Sequence, residues 1–211
     1  MNAKTEYKQC SHELIGGLIE IVRMAVIDQF PSPRLDVADV SALLDAMHVL
    51  RPTLTELNLF DGFVHVVRGE WHDAIALFST LVSQDRCMPG SRAMLVYCLS
   101  ASGNSDWKIE AEQLLHQDKL TPEARSLVYA VIARNDMEKA REDAYATGEF
   151  NEPESLKRLR DDYASYPIHQ RESRTRHDVL GPHSASGAPQ ETGMQPMETI
   201  TNSDYSQYLR L

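Results

Sequence analysis

Apolar residues recur along this chain at intervals of three and four, the spacing that lines one side of an α-helix. After Ser11, a suitable N-cap, the stripe Leu14, Ile15, Leu18, Ile19, Val22, Val26 and Ile27 predicts a first helix, which Phe30-Pro31-Ser32-Pro33 ends. A second, over 36–50, carries Val40, Leu43, Leu44, Met47 and Leu50 and stops at Pro52. Leu57, Phe60, Val64 and Val67 mark a third over 55–68, and Ala74, Ile75, Leu77, Phe78, Leu81 and Val82 a fourth over 71–83. Ser91 as N-cap opens a helix through Met94, Leu95, Val96 and Leu99, followed by one with Trp107, Ala111, Leu114 and Leu115. Thr121-Pro122 starts another through Leu127, Val128, Val131 and Ile132, and a last one is expected over 137–147 before Gly148. The expected fold class is all-α.

The corners between these helices are evenly placed. Gly69 can take the left-handed conformation that closes a helix, Glu70 follows where the next begins, and Ala74 lets two backbones come close. Gly103 marks a second such corner, with Ala111 behind it, and Asn135 a third as a left-handed C-cap, with Ala140 behind it. The step from Gly69 to Gly103 and the step from Gly103 to Asn135 are nearly equal. Both fall at the period of tetratricopeptide-type helical hairpins stacked as an α-α superhelix, about 34 residues per hairpin. Measured against the repeat pattern, Gly62, Ala74 and Phe78 are kept, whereas Asn58, Asp61 and His65 replace the expected Trp, Leu and Tyr. In such a stack the first helix of each hairpin lines a concave groove, which offers Glu56, Leu59, Phe63 and Val66 as partner-binding candidates. The alternative is that Leu59 and Phe63 pack against the preceding hairpin. Trp71 and Trp107 are expected to pack at corners, and the pair Gly16-Gly17 to mark a close helix crossing.

The domain organisation that follows is a flexible N-terminus at 1–10, a helical repeat domain at 11–148, a capping helix within 149–164 and a disordered tail at 165–211. Leu156, Leu159 and Tyr163 supply the cap, which shields the last apolar face of a solenoid. The tail is rich in Ser, Pro, Gly, Gln and Thr without periodicity, and regains apolar character only at Tyr205, Tyr208, Leu209 and Leu211.

Composition narrows the chemistry. The 211 residues are 42% hydrophobic, enough for a sizeable core, and the net charge of −10 argues against nonspecific nucleic-acid binding, which needs a basic face. Cys10, Cys87 and Cys98 form no CxxC pair and are expected as free thiols. Residues 1–9 lack the basic-then-apolar run of a secretory signal, so folding is expected to start in the cytosol, and Arg23 and Asp28 interrupt the best candidate for a membrane span. His12-Glu13 resembles the start of a zinc-protease HExxH helix, but Gly16 occupies the second ligand position. Glu110 and Glu112, two apart on a helix, point to different faces and do not converge as paired carboxylates. No catalytic residue, cofactor or metal is expected.

From Leu44 through Pro52 and Glu56-Leu57-Asn58-Leu59-Phe60 to Arg68-Gly69-Glu70-Trp71-His72-Asp73-Ala74, and in Ile15-Gly16-Gly17-Leu18-Ile19-Glu20, the chain resembles the HrpK-like accessory family of plant-pathogen Hrp type III secretion clusters. The likeness covers roughly residues 11–147. It implies a bacterial protein that helps assemble or operate a type III secretion apparatus, with apparatus proteins as partners and a tendency to self-associate. It also implies association with the periplasmic part of the machine and with the cell wall, hence peptidoglycan, and the missing signal peptide is compatible with export by the apparatus itself. The alternative function is a cytosolic tetratricopeptide-like chaperone holding an exported subunit.

Overall fold

The computed structural model describes residues 10–30, 35–117 and 120–164. The expectations for 1–9, for 31–33 and for the tail at 165–211, its apolar end included, lie outside those residues. Among the described residues there are eight helices and no strand: α1 (His12–Val26), α2 (Val37–Leu50), α3 (Leu57–Arg68), α4 (Trp71–Ser83), α5 (Gly90–Ala101), α6 (Trp107–Leu115), α7 (Pro122–Thr147) and α8 (Glu154–Ala164). None is long and apolar enough to cross a membrane. The fold class is all-α.

Local chemistry explains several of the ends. The amide of Leu14 donates to Ser11 Oγ at 3.2 Å, that of Ala38 to Asp36 Oδ1 at 2.9 Å and that of Ala124 to Thr121 Oγ1 at 3.3 Å, so three helices start on side-chain N-caps. Gly69 has φ 74° between α3 and α4, and the amides of Gly69 and Glu70 donate back to the carbonyls of Val66 and His65. This satisfies the last carbonyls of α3 and turns the chain straight into α4.

Consecutive helices from α2 to α6 pack on one another, α7 packs on α5, α8 on α7, and α1 on α2 and α3. One continuous core results, running from Ile15, Ile19 and Val22 of α1 through Phe60, Phe63 and Phe78 to Val96, Leu114 and Val128. A tight crossing lies between α3 and α4, where a Cβ added to Gly62 would collide with the ring of Phe78, 2.7 Å from Cε1. Only glycine admits that ring there.

Three local expectations are corrected. Asn135 does not cap a helix: α7 runs unbroken from Pro122 to Thr147 and ends at Gly148 with φ 79°, so Asn135 and Ala140 are half-buried positions within one long helix. The reason is packing: α8 lies along α7, Ser155 Oγ donating to Asp136 Oδ2 at 2.7 Å and Ser126 Oγ to Asp162 Oδ2 at 2.5 Å. Asn inside a helix is only mildly unfavourable and is outweighed. Ser91 does not cap α5 either; it is fully buried and its hydroxyl donates to the Arg86 carbonyl at 2.7 Å. Gly17 is exposed with nothing near its missing Cβ, so it marks no close crossing.

Candidate functional site

The four groove candidates from the sequence are placed inside the molecule rather than on a free face. Glu56 is 9% exposed, Leu59 1%, Phe63 2% and Val66 5%. α3 lies between α2 and α4 and also touches α1, so little of its circumference faces water, and an apolar residue off the main stripe is buried as well.

What covers Phe63 is Phe30, in the turn just after α1. The two rings meet edge to face at 5.5 Å and 83°, and Phe30 meets Tyr97 of α5 in the same manner at 5.2 Å and 74°. Phe63 meets Phe78 at 6.3 Å, and Trp71, the first residue of α4, tilts against Tyr97 at 6.3 Å. These geometries fall within the range in which the electropositive edge of one ring is attracted to the face of another, worth about 0.5–1.5 kcal/mol per pair beyond area burial. Phe30 and Tyr97 are half-buried. Burial pushes the Tyr97 hydroxyl above its ordinary pKa, Arg134 of α7 opposes that rise, and Cys98 adds to it. The turn after α1 and the helices α3, α4 and α5 therefore meet around one aromatic cluster, with Arg134 of α7 near enough to act on Tyr97.

The remaining sequence candidates are structural in placement. Trp107 is 7% exposed at the start of α6, Ala74 is fully buried, and Gly103 has φ 78° in the turn after α5. Glu110 pairs with Arg92 across α5 and α6 at 3.3 Å, which takes it away from any partnership with Glu112.

One group of metal-type donors occurs among the described residues, His65, Glu70 and Asp73, whose ligand atoms lie within 4.8 Å of one another. His65 Nδ1 and Glu70 Oε2 are 2.6 Å apart and straddle Gly69, so the pair acts as a clasp on the α3–α4 corner; Glu70 and Asp73 are exposed. Cys98 and Cys87 are pushed up to about 12, Cys98 by burial and Cys87 by burial first and then by the Glu56 carboxylate. Both thiols stay protonated at neutral pH and make poor nucleophiles. Asp85 and Cys87, in the α4–α5 connection, have φ 54° and 53°. That left-handed pair without glycine carried no sequence signal.

A family model described as bacterial type III secretion protein (HrpB1_HrpK) matches residues 5–137. The matched region holds α1 to α6 and the first part of α7, and with them every residue of the aromatic cluster. No curated protein and no solved structure matches the chain.

Proposed function

We propose, from the premise that the chain belongs to the HrpB1_HrpK family of bacterial type III secretion proteins, that it is a non-catalytic, protein-binding assembly component of the secretion apparatus. The single observation that carries this reading is the family match itself, which spans most of the helical body. The helical hairpins support it. The corners at Gly69 and Gly103 stand one hairpin period apart, and α3 with α4 and α5 with α6 form successive pairs in the manner of tetratricopeptide-like repeats, whose usual work is to hold other proteins. The protonated state of Cys87 and Cys98 and the engagement of Glu110 with Arg92 favour a binding role over a covalent or acid-base one.

In this reading the partners are apparatus proteins and a second copy of the chain, and the place of action is the periplasmic or cell-wall part of the machine, with peptidoglycan as a further contact. Fractionation of cells with and without a working export apparatus tests it. The expected result is a periplasmic pool that depends on the apparatus. A protein confined to the cytosol in both strains would replace this reading with that of a chaperone holding an exported subunit.

A further inference from the structure

We infer that the outer side of α1, a seam made by Leu14, Gly17, Ile21 and Met24, is where a second copy of the chain docks, the two α1 helices pairing antiparallel about a two-fold axis. The inference rests on the protein-binding reading above and names the surface and the geometry by which one copy meets another.

α1 carries two apolar stripes. Ile15, Ile19, Val22 and Val26 are buried on the side that packs against α2 and α3. Leu14, Ile21 and Met24 are each about half exposed, and Gly17, which lies among them on the helix surface, is exposed as well. An outward apolar stripe is out of place at the end of a helical stack, where the last helix turns a polar face to water. The opposite end meets that requirement: on α8, Glu154, Lys157, Arg158, Arg160 and Asp161 are exposed. The α1 end does not, and its outer side calls for a covering helix.

The spacing along the stripe identifies that helix. From Leu14 to Gly17, Ile21 and Met24 the steps are three, four and three, the a and d positions of a coiled-coil seam rather than the broader stripe of a helix set against a domain core. This order reads the same from either end. In an antiparallel pair centred beside Ile19, Leu14 of one copy lies opposite Met24 of the other and Gly17 opposite Ile21, and the two-fold axis makes each contact twice. A large residue thus meets a small one. A Cβ on Gly17 would find nothing within 4 Å in its own chain, and Ile21 of the second copy fills that space. A parallel pair would set Gly17 against Gly17 and leave a void.

Charge permits the approach at this place. Each copy has a net charge of −10, so two copies repel over most of their surfaces. The seam itself carries no charge, and two of the acids beside it are neutralised within the chain: Arg23 donates to Glu20 at 2.5 and 2.8 Å and to Asp28 at 2.7 Å.

Sedimentation equilibrium of the full-length protein across the micromolar range tests the surface. Wild type should show a reversible dimer, and Ile21→Glu, with its helicity unchanged, only monomer. Gly17→Leu separates docking from folding. At concentrations where both proteins are monomeric it should raise the unfolding midpoint, because leucine is the better helix former, yet it should weaken the dimer at least about tenfold by filling the hole. Leu14→Glu and Met24→Lys should each be monomeric alone and form a mixed dimer when combined, whereas Leu14→Glu combined with Leu14→Lys should not. A wild type that stays monomeric, a dimer that survives Ile21→Glu or Gly17→Leu, or recovery with Leu14→Lys in place of Met24→Lys would overturn the proposal. These measurements use purified protein without the apparatus, so their failure leaves the fractionation result standing, and a cytosolic location would leave the dimer standing.

Discussion

The ring of Phe78 occupies the space that a side chain on Gly62 would need. Phe78 is fully buried and meets Phe63 in a T-shaped contact, so it has little room to retreat from a larger residue on α3. Gly62→Ala combines a gain of about 1 kcal/mol in helix propensity with overpacking of about 1–3 kcal/mol, and a net loss of roughly 1 kcal/mol is expected. Gly17→Ala, in open space on α1, should instead gain about 0.5–1 kcal/mol. Urea unfolding of both variants checks the pair; equal shifts of the same sign would show that the α3–α4 crossing is not close.

None of the residues of α8 is buried as a whole, and side-chain hydrogen bonds help to hold it to α7. The carboxylate of Asp162 accepts from Arg125 Nε at 2.8 Å and from Ser126 Oγ at 2.5 Å, and its side chain is only 8% exposed. Asp162→Ala should weaken the docking by about 1.5–3 kcal/mol, the worth of hydrogen bonds to a charged group. Amide exchange over 154–164 should accelerate while α3 and α4 keep their protection; unchanged exchange in α8 would remove the polar clasp from the account.

Burial holds the Cys98 thiol at about 12 against an ordinary 9.0. Below 9.0 both folded and unfolded chains carry the proton, so this thiol adds no pH dependence there. Between 9.0 and about 12 the unfolded chain gives it up while the folded chain keeps it, and stability falls as pH rises. One unit above the unfolded value the fall is about 1.4 kcal/mol. Denaturant midpoints of wild type and Cys98→Ala at neutral pH and near pH 10 check this: the wild type should lose more on the alkaline side, and parallel losses would contradict it.

The legible parts of the fold were those in which a residue type answers one geometric need. A left-handed corner needs glycine, and Gly69 marked the α3–α4 turn; Ser11 and Thr121-Pro122 marked helix starts because the first amides need an acceptor and proline fits a first turn. Asn135 was ambiguous, since the same residue caps one helix and sits inside another, and contact with α8 decided between them. The candidate site was less legible. Helical periodicity identifies a stripe but not how many neighbours surround a helix, so Leu59 and Phe63 read as groove residues although α1, α2 and α4 enclose α3. Phe30 read as a helix terminator because prolines follow it.

Co-purification from secreting cells tests the proposed role most directly. A tagged copy of the full chain is cross-linked in cells that assemble the secretion apparatus and in cells that lack it, and the captured proteins are identified by mass spectrometry. Apparatus proteins captured from the first strain, and absent from a control with an unrelated tagged protein, are the expected result. Recovery of no apparatus protein, together with the same captured set in both strains, would contradict an assembly role for this chain.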